Sequence, residues 1–137
     1  MRRSRGYQLF NKNIGIVGFG SIGKEIAHIA KGYEMNVNCI VSNYSESRKR
    51  KLVKDGVYIV KNIEELAKGN DILVVCCPLT NETKNLITKD ILDLLGPQSI
   101  LVNVARGGVV SETDLYDSLY DNKIFGAASD VFEQEEN

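Results

Sequence analysis

Short apolar runs alternate along this chain with longer segments in which apolar residues recur at helical spacing. The first run, residues 14–17, precedes a stretch in which Ile22, Ile26 and Ile29 fall three or four residues apart. Continuous apolar runs are typical of strands covered on both faces, and the wider spacing is typical of an amphipathic helix. The pattern predicts strands at 13–18, 36–42, 57–60, 71–77, 99–104 and 124–129, and helices at 21–31, 45–54, 63–68, 88–95 and 111–120.

The regular alternation of strand and helix indicates an α/β fold with a doubly wound parallel sheet of the Rossmann type. The hydrophobic segments form a single series, so we expect one domain. Its predicted bounds are 13–131, with 1–12 as an N-terminal arm or linker and 132–137 as a C-terminal tail. Thr88 and Ser111 stand where helix caps are expected, and Asp114 would form a capping box with Ser111.

Composition narrows the classes of function. The chain of 137 residues has a net charge of −1, which gives no reason to expect a nucleic-acid partner. No apolar run approaches membrane-spanning length, and we expect no membrane association. The cysteines, Cys39, Cys76 and Cys77, lie in apolar runs, which indicates buried free thiols and a cytoplasmic location. His28 is the only histidine, and no Cys/His spacing suggests a metal site.

Three glycines, Gly18, Gly20 and Gly23, follow the first predicted strand in G-x-G-x-x-G spacing and open the first predicted helix. In this context the first glycine permits a tight turn and the second a close approach of phosphate. The third permits close packing of helix on strand. Unpaired N–H groups and the helix dipole would then hold the pyrophosphate of a dinucleotide. The alternative is a glycine turn that serves packing alone.

The end of the second predicted strand bears on the choice between NAD and NADP. An acid roughly 20 residues beyond the glycines usually binds the adenosine ribose, yet none occurs there before Glu46. Ser42 and Asn43 could hydrogen-bond a hydroxyl or a phosphate, and the basic run 48–50 could attract the 2′-phosphate of NADP. NADP use, NAD use and loss of cofactor binding all stay open, and the basic run could equally be a solvated helix face.

Charged residues follow the last two predicted strands. Arg106 is followed by two glycines, and its guanidinium could bind a carboxylate through two parallel hydrogen bonds. Asp130 and Glu135 follow the next strand at the same sheet edge. An Asp there could hold the nicotinamide carboxamide, and a Glu could orient a catalytic base. Each of these charges could instead be a solvated loop residue.

Four segments occur in a characteristic order: 15–23 (GIVGFGSIG), 77–83 (CPLTNET), 101–112 (LVNVARGGVVSE) and 126–135 (GAASDVFEQE). Together they resemble the nucleotide-binding domain of the D-isomer-specific 2-hydroxyacid dehydrogenases. That family includes phosphoglycerate, glycerate/hydroxypyruvate and D-lactate dehydrogenases. The resemblance implies reversible hydride transfer between a nicotinamide cofactor, NAD or NADP, and a small D-2-hydroxy or 2-oxo acid.

The resemblance also implies roles for single residues. Arg106 matches the arginine that binds the substrate carboxylate and carbonyl, and Glu135 matches the acid that pairs with the catalytic histidine. Val41 stands where many members carry a ribose-binding Asp, so the chain departs from the NAD pattern there. Further cofactor contacts are implied for Ser21 and Ile22 at the pyrophosphate, Cys77 and Pro78 near the adenine and its ribose, Val104 and Ala105 ahead of the arginine, and Asp130.

The family's catalytic histidine follows the matched Glu in a Pro-His segment that this sequence does not contain. His28 cannot replace it, because Lys24, His28 and Lys31 suggest an exposed helix face. We therefore expect a domain of a larger enzyme that lacks most of the substrate domain and is inactive by itself. The full-length enzyme is expected to form a homodimer, as is usual in the family.

Two rival functions stay open. The first is a dinucleotide-sensing module, similar to the corepressors that share this fold. The second is another nicotinamide enzyme such as an adenosylhomocysteine hydrolase, against which the runs 105–107 (ARG) and 130–133 (DVFE) argue.

Overall fold

The computed structural model describes residues 8–129 and contains one parallel sheet. Its strands are β1 (Asn13–Val17), β2 (Asn36–Ile40), β3 (Val57–Ile59), β4 (Ile72–Val75), β5 (Ile100–Asn103) and β6 (Gly126–Ser129). The six strands lie in the order β3-β2-β1-β4-β5-β6, and every neighbouring pair is parallel. The order reverses between β1 and β4, which confirms the predicted doubly wound α/β fold.

Helices cover both faces of the sheet. Leu52 of the second helix and Ala27 of the first belong to one buried cluster, while Leu66 and Ile91 of the third and fourth belong to the other. Within residues 8–129 no helix combines the length and apolar content needed to cross a membrane. The helices are α1 (Ser21–Gly32), α2 (Glu46–Lys54), α3 (Ile63–Lys68), α4 (Lys89–Leu95) and α5 (Glu112–Tyr120), with a 3₁₀ turn at Gly107–Val109.

The central strand β4 supplies both hydrophobic clusters in alternation. Leu73 and Val75 pack in the cluster beneath α3, α4 and α5, and Ile72 and Val74 pack in the cluster beneath α1 and α2. All four side chains are buried. The uninterrupted apolar run of this strand therefore follows from burial on both of its faces.

Several predicted strands extend beyond their hydrogen-bonded ladders. The run 71–77 forms a strand only over Ile72–Val75, and β6 begins at Gly126 rather than at Ile124. Ile124 and Cys77 are nevertheless buried in the hydrophobic cluster. Apolar residues continue into the connecting loops because those loops are packed, and the sequence pattern does not distinguish a packed loop from a strand.

The helix caps differ from prediction at α4. Thr88 makes no side-chain capping bond, whereas the backbone N–H of Lys89 donates to Asp114 Oδ2 at 2.9 Å. Asp114 belongs to α5, and its own N–H donates to Ser111 Oγ at 3.3 Å. The predicted Ser111 cap is confirmed. The Asp114 carboxylate, however, stabilises the start of a neighbouring helix, so α5 caps α4.

Substituting Asp114→Ala should therefore destabilise α4 while leaving the Ser111 cap of α5 in place. We expect a loss of about 1 kcal/mol in the free energy of unfolding, the usual cost of a lost helix cap. Urea denaturation measures this value. The matched control is Asp117→Ala on the exposed side of the same helix, for which we expect a change within about 0.5 kcal/mol. Equal losses in the two variants would contradict the capping role.

Candidate functional site

The turn after β1 is built on Gly18, which has a φ of +94°. This is the left-handed region that residues with a Cβ rarely adopt. A Cβ at this position would lie 2.7 Å from the Cα of Cys77, so the loop after β4 leaves no room for a side chain. The backbone N–H of Gly18 donates to Ile40 O at 3.1 Å. The turn is therefore held from both sides, by the ends of β2 and β4.

Gly23 brings α1 against the same turn. A Cβ on Gly23 would lie 2.5 Å from the carbonyl oxygen of Gly18. Backbone cannot yield at that distance as a flexible side chain can, so the third glycine of the motif is required for this packing. The close contact sets the start of α1 directly over the end of β1.

The surroundings of Gly20 are open. No atom lies within 4 Å of a Cβ built on it, and its φ of −87° suits any residue. The helix α1 begins immediately afterwards, without a side-chain cap and without an acid in its first turn. The first N–H groups of a helix have no partner within the helix. Ser21 and Ile22, which carry two of them, are exposed. Space, free donors and the positive end of the helix dipole fit a pyrophosphate.

Cys76 lies beneath the turn and is a site residue that the sequence pattern did not predict. Its Sγ donates to Gly18 O at 3.0 Å. Burial raises the pKa of the Cys76 thiol to about 11, so the proton needed for this hydrogen bond is retained at neutral pH. The available sequence signal was a cysteine near the carboxyl end of the predicted strand 71–77, the sheet edge at which the glycine turn is also expected. Burial likewise raises the pKa of Cys77, whose neighbour Pro78 is exposed.

The three residues of the basic run after β2 differ in burial and in hydrogen bonding. Arg48 is half-buried, and its guanidinium donates to Phe19 O at 3.0 Å and to Asn43 O at 3.4 Å. Lys49 and Arg50 are exposed. The run is therefore neither a three-residue cluster nor a simple solvated face, because Arg48 alone contacts the glycine turn. Ser42 and Asn43 are exposed beside it.

Arg106 stands at the carboxyl end of β5, just before the 3₁₀ turn Gly107–Val109. The buried side chain of Asn103 shapes this end, because its Oδ1 accepts a hydrogen bond from Ala105 N at 2.9 Å. The N–H of Val104 donates to Val75 O at 3.0 Å, which keeps the segment beside β4. Arg106 is exposed and makes no hydrogen bond or ion pair with any residue from 8 to 129. No described side chain therefore competes with a ligand for its guanidinium.

The sheet order relates the two halves of this site. β4 lies between β1 and β5, so the ends of β1 and β5 are about 10 Å apart at the usual strand spacing. The glycine turn and Arg106 both follow carboxyl ends, at the point where the strand order reverses. Ligands of open α/β sheets bind at this position. Asp130 and Glu135 lie outside the described residues. Within 8–129 there is no cluster of three or more groups that could bind a metal ion.

Comparison with known proteins agrees with this geometry. The family model described as "D-isomer specific 2-hydroxyacid dehydrogenase, NAD binding domain" matches residues 1–137. The chain belongs to that family. Because the matching model is that of an NAD-binding domain, NAD is the cofactor that the family membership supports.

Individual relatives of this 2-hydroxyacid dehydrogenase domain are longer proteins. A glyoxylate reductase from Pyrococcus furiosus is 43% identical over 130 residues, which is 95% of this chain and 38% of that protein. The structure of a glyoxylate reductase from Paecilomyes thermophila superposes with a TM-score of 0.85 at 28% identity, covering 96% of this chain and 39% of that one. The NAD-complexed D-isomer specific 2-hydroxyacid dehydrogenase from Lactobacillus delbrueckii ssp. bulgaricus gives a TM-score of 0.83 at 25% identity, covering 93% and 37%. The chain thus spans less than half the length of these relatives.

The packing around the glycines predicts different losses of stability for two similar substitutions. Gly23→Ala should cost about 1–3 kcal/mol of unfolding free energy, because the new methyl group is forced against the Gly18 carbonyl. Gly20→Ala should change stability by no more than about 0.5 kcal/mol, because its methyl group enters open space. Thermal and urea unfolding of both variants measure the difference. Equal destabilisation would contradict the packing described for α1.

Proposed function

We propose that this chain holds a nicotinamide dinucleotide and presents Arg106 to a small 2-hydroxy or 2-oxo acid. One observation carries the proposal. The open, uncapped start of α1 and the guanidinium of Arg106, which has no partner among residues 8–129, lie at the same edge of the sheet, on either side of β4. An anion site and a carboxylate site that follow two strands separated by a single strand suit a dinucleotide with an acid beside its nicotinamide end.

The residues at the glycine turn bind the diphosphate portion of the cofactor. The N–H groups of Ser21 and Ile22 donate to it, and Gly20 leaves space for its close approach. Cys77 and Pro78 line the adenosine side, and Val104 and Ala105 form the surface that leads towards Arg106. The bound nicotinamide supplies the hydride donor or acceptor. Asp130 holds its carboxamide in the proposed arrangement.

Arg106 binds the substrate. Its planar guanidinium pairs with the acid carboxylate through two parallel hydrogen bonds and polarises the adjacent oxygen. Glu135 pairs with a proton-transferring histidine supplied from outside these 137 residues. Because relatives of this chain are named as glyoxylate reductases, a small 2-oxo acid is the proposed substrate class.

Three further features belong to the proposal. The domain comprises residues 13–131. The residue before it is hydrogen-bonded to the sheet, because Lys12 O accepts from Asn36 N at 2.9 Å. A reducing, cytoplasmic compartment suits three cysteines that are all free thiols. A homodimer of the full-length enzyme is proposed from the family resemblance.

Gly20→Ala tests the cofactor site directly. Its methyl group would occupy the space assigned to the diphosphate, so we expect about tenfold weaker NADH binding, equivalent to about 1.4 kcal/mol, with unchanged unfolding. Fluorescence titration of NADH measures the affinity. Gly32→Ala, at the far end of α1, is the matched control, because a Cβ there also meets no atom within 4 Å. NADH binding that is equally strong in both variants would contradict the assignment of the turn.

Arg48 favours NADP as the second candidate cofactor. It is the one cation of the basic run that contacts the glycine turn, and no acid from 41 to 45 would repel a 2′-phosphate. In the proposed arrangement the Arg48 guanidinium binds this phosphate beside Ser42 and Asn43. NADPH would then bind more tightly than NADH.

Arg48→Ala should reduce the ratio of NADPH to NADH affinity by about tenfold, because a charge-assisted bond to phosphate is lost for NADPH only. The ratio is the informative quantity, since Arg48 also ties Phe19 to Asn43 and its loss should weaken both cofactors. Arg50→Ala removes the same charge from the same helix without that contact and should leave the ratio unchanged. Equal titration curves for NADH and NADPH in the unmodified chain would show that Arg48 does not select NADP.

A further inference from the structure

A groove of about 520 Å³ separates α1 from α2 on the face of the sheet opposite α3, α4 and α5. Its floor is apolar and includes Ala27, Leu52 and Val57, all of them buried. Small-molecule sites typically have volumes of about 300–1,000 Å³. The groove is therefore large enough for a metabolite.

Basic side chains line both walls of the groove. Lys24, His28 and Lys31 lie on one stripe of α1, because positions i, i+4 and i+7 share a helix face. Lys51 faces them from α2, and Asp55 is the single carboxylate among the lining residues. The walls thus carry three lysines and an imidazole against one acid, in a chain whose net charge is only −1.

Most of these basic side chains have no partner among residues 8–129. Lys31 Nζ donates to Gly56 O at 3.2 Å, which is a neutral acceptor. The side chains of Lys24, His28 and Lys51 make no hydrogen bond or ion pair within the described part of the chain. The single ion pair found there, Lys89–Asp93, lies on α4. The positive charge of the groove is accordingly available to an external anion.

The groove runs away from the proposed cofactor site, from the carboxyl edge of the sheet towards its amino edge. Phe19, at one end of the groove, belongs to the glycine turn at the carboxyl edge of the sheet. Lys31 and Val57, at the other end, lie at the last turn of α1 and the start of β3, which is the amino edge. Lys24 and Lys31 are about 10 Å apart along the axis of α1, at the usual helical rise.

We propose that this groove binds an elongated small molecule with an anionic group, such as a phosphate, at each end. Lysine binds phosphate as a point charge, and the spacing of Lys24 and Lys31 favours two separate anions over one. The neutral centre of the ligand lies on the apolar floor. This site adjoins the glycine turn at Phe19 and extends away from it towards the amino edge of the sheet. It does not depend on the proposed dinucleotide site.

Fructose 1,6-bisphosphate is the probe, with fructose 6-phosphate as the matched ligand that carries one phosphate. Titration of the ¹⁵N-labelled 137-residue chain by NMR locates the binding residues. We expect saturable shifts at the amides of Lys31, Leu52 and Val57, and about tenfold weaker binding of the monophosphate, the effect of losing one charged anchor. Shifts confined to Ser21, Ile22 and Gly23 would place the anion in the glycine turn and overturn the groove assignment, while leaving the dinucleotide proposal intact.

Two double variants test whether the lysines of the groove form a specific binding site or only attract anions at long range. Lys24→Gln with Lys51→Gln should weaken the bisphosphate by about tenfold or more, because both walls lose a charge. Lys49→Gln with Lys54→Gln removes the same total charge from α2 outside the groove. This variant should weaken binding by less than about threefold, because salt largely screens the attraction between the ligand and these more distant charges. Lys31 is left unchanged because its bond to Gly56 is structural.

Asp55→Asn should strengthen bisphosphate binding, whereas the lysine variants weaken it. Removal of the only lining carboxylate should tighten bisphosphate binding by about two- to fivefold at low salt, since one repulsive charge is lost. Equal weakening in the two double variants, an unchanged affinity in Asp55→Asn, or the absence of saturable binding would each overturn the proposal.

Discussion

The contact between Gly23 and the carbonyl of Gly18 is the constraint on which the candidate site depends. Because a Cβ at Gly23 would stand only 2.5 Å from that oxygen, α1 can lie over the end of β1 only when this residue is glycine. Gly18 must also be glycine, because a Cβ there would collide with the Cα of Cys77 in the loop after β4. The end of β1, the start of α1 and the loop after β4 thus meet in close backbone contact. The free N–H groups of α1 are directed into open space as a result.

Neutral groups surround this contact, and the absence of negative charge among them favours an anion above the turn. Cys76 donates its thiol proton to Gly18 O, and burial keeps the thiol protonated. A thiolate beneath the turn would repel a phosphate above it. The first turn of α1 contains no acid either. Positive charge comes instead from the helix dipole and from Arg48, which approaches the turn from the side.

Charge is unevenly distributed over the two faces of the sheet. Three lysines face a single carboxylate around the groove between α1 and α2, whereas the ion pair found among residues 8–129 lies on α4 of the other face. An uneven field of this kind attracts anionic ligands to one side of a nearly neutral molecule. Both anion sites inferred for this chain, the glycine turn and the groove, are bounded by α1, which presents its uncapped start to one and a row of cations to the other.

The amino-acid sequence by itself determined the fold class, since runs buried on both faces and helical stripes leave few alternatives to a parallel sheet. It also indicated the glycine turn and Arg106, because their positions after strands are evident from local pattern. Strand ends were less certain, as at Ile124, where packed loops are as apolar as strands. Only the tertiary structure decided that Asp114 caps α4, that Cys76 supports Gly18, and that Arg48 differs from Lys49 and Arg50. Each of these contacts joins residues on different elements or selects one of several equivalent side chains. Such choices depend on the relative placement of helices and strands, which local periodicity does not encode.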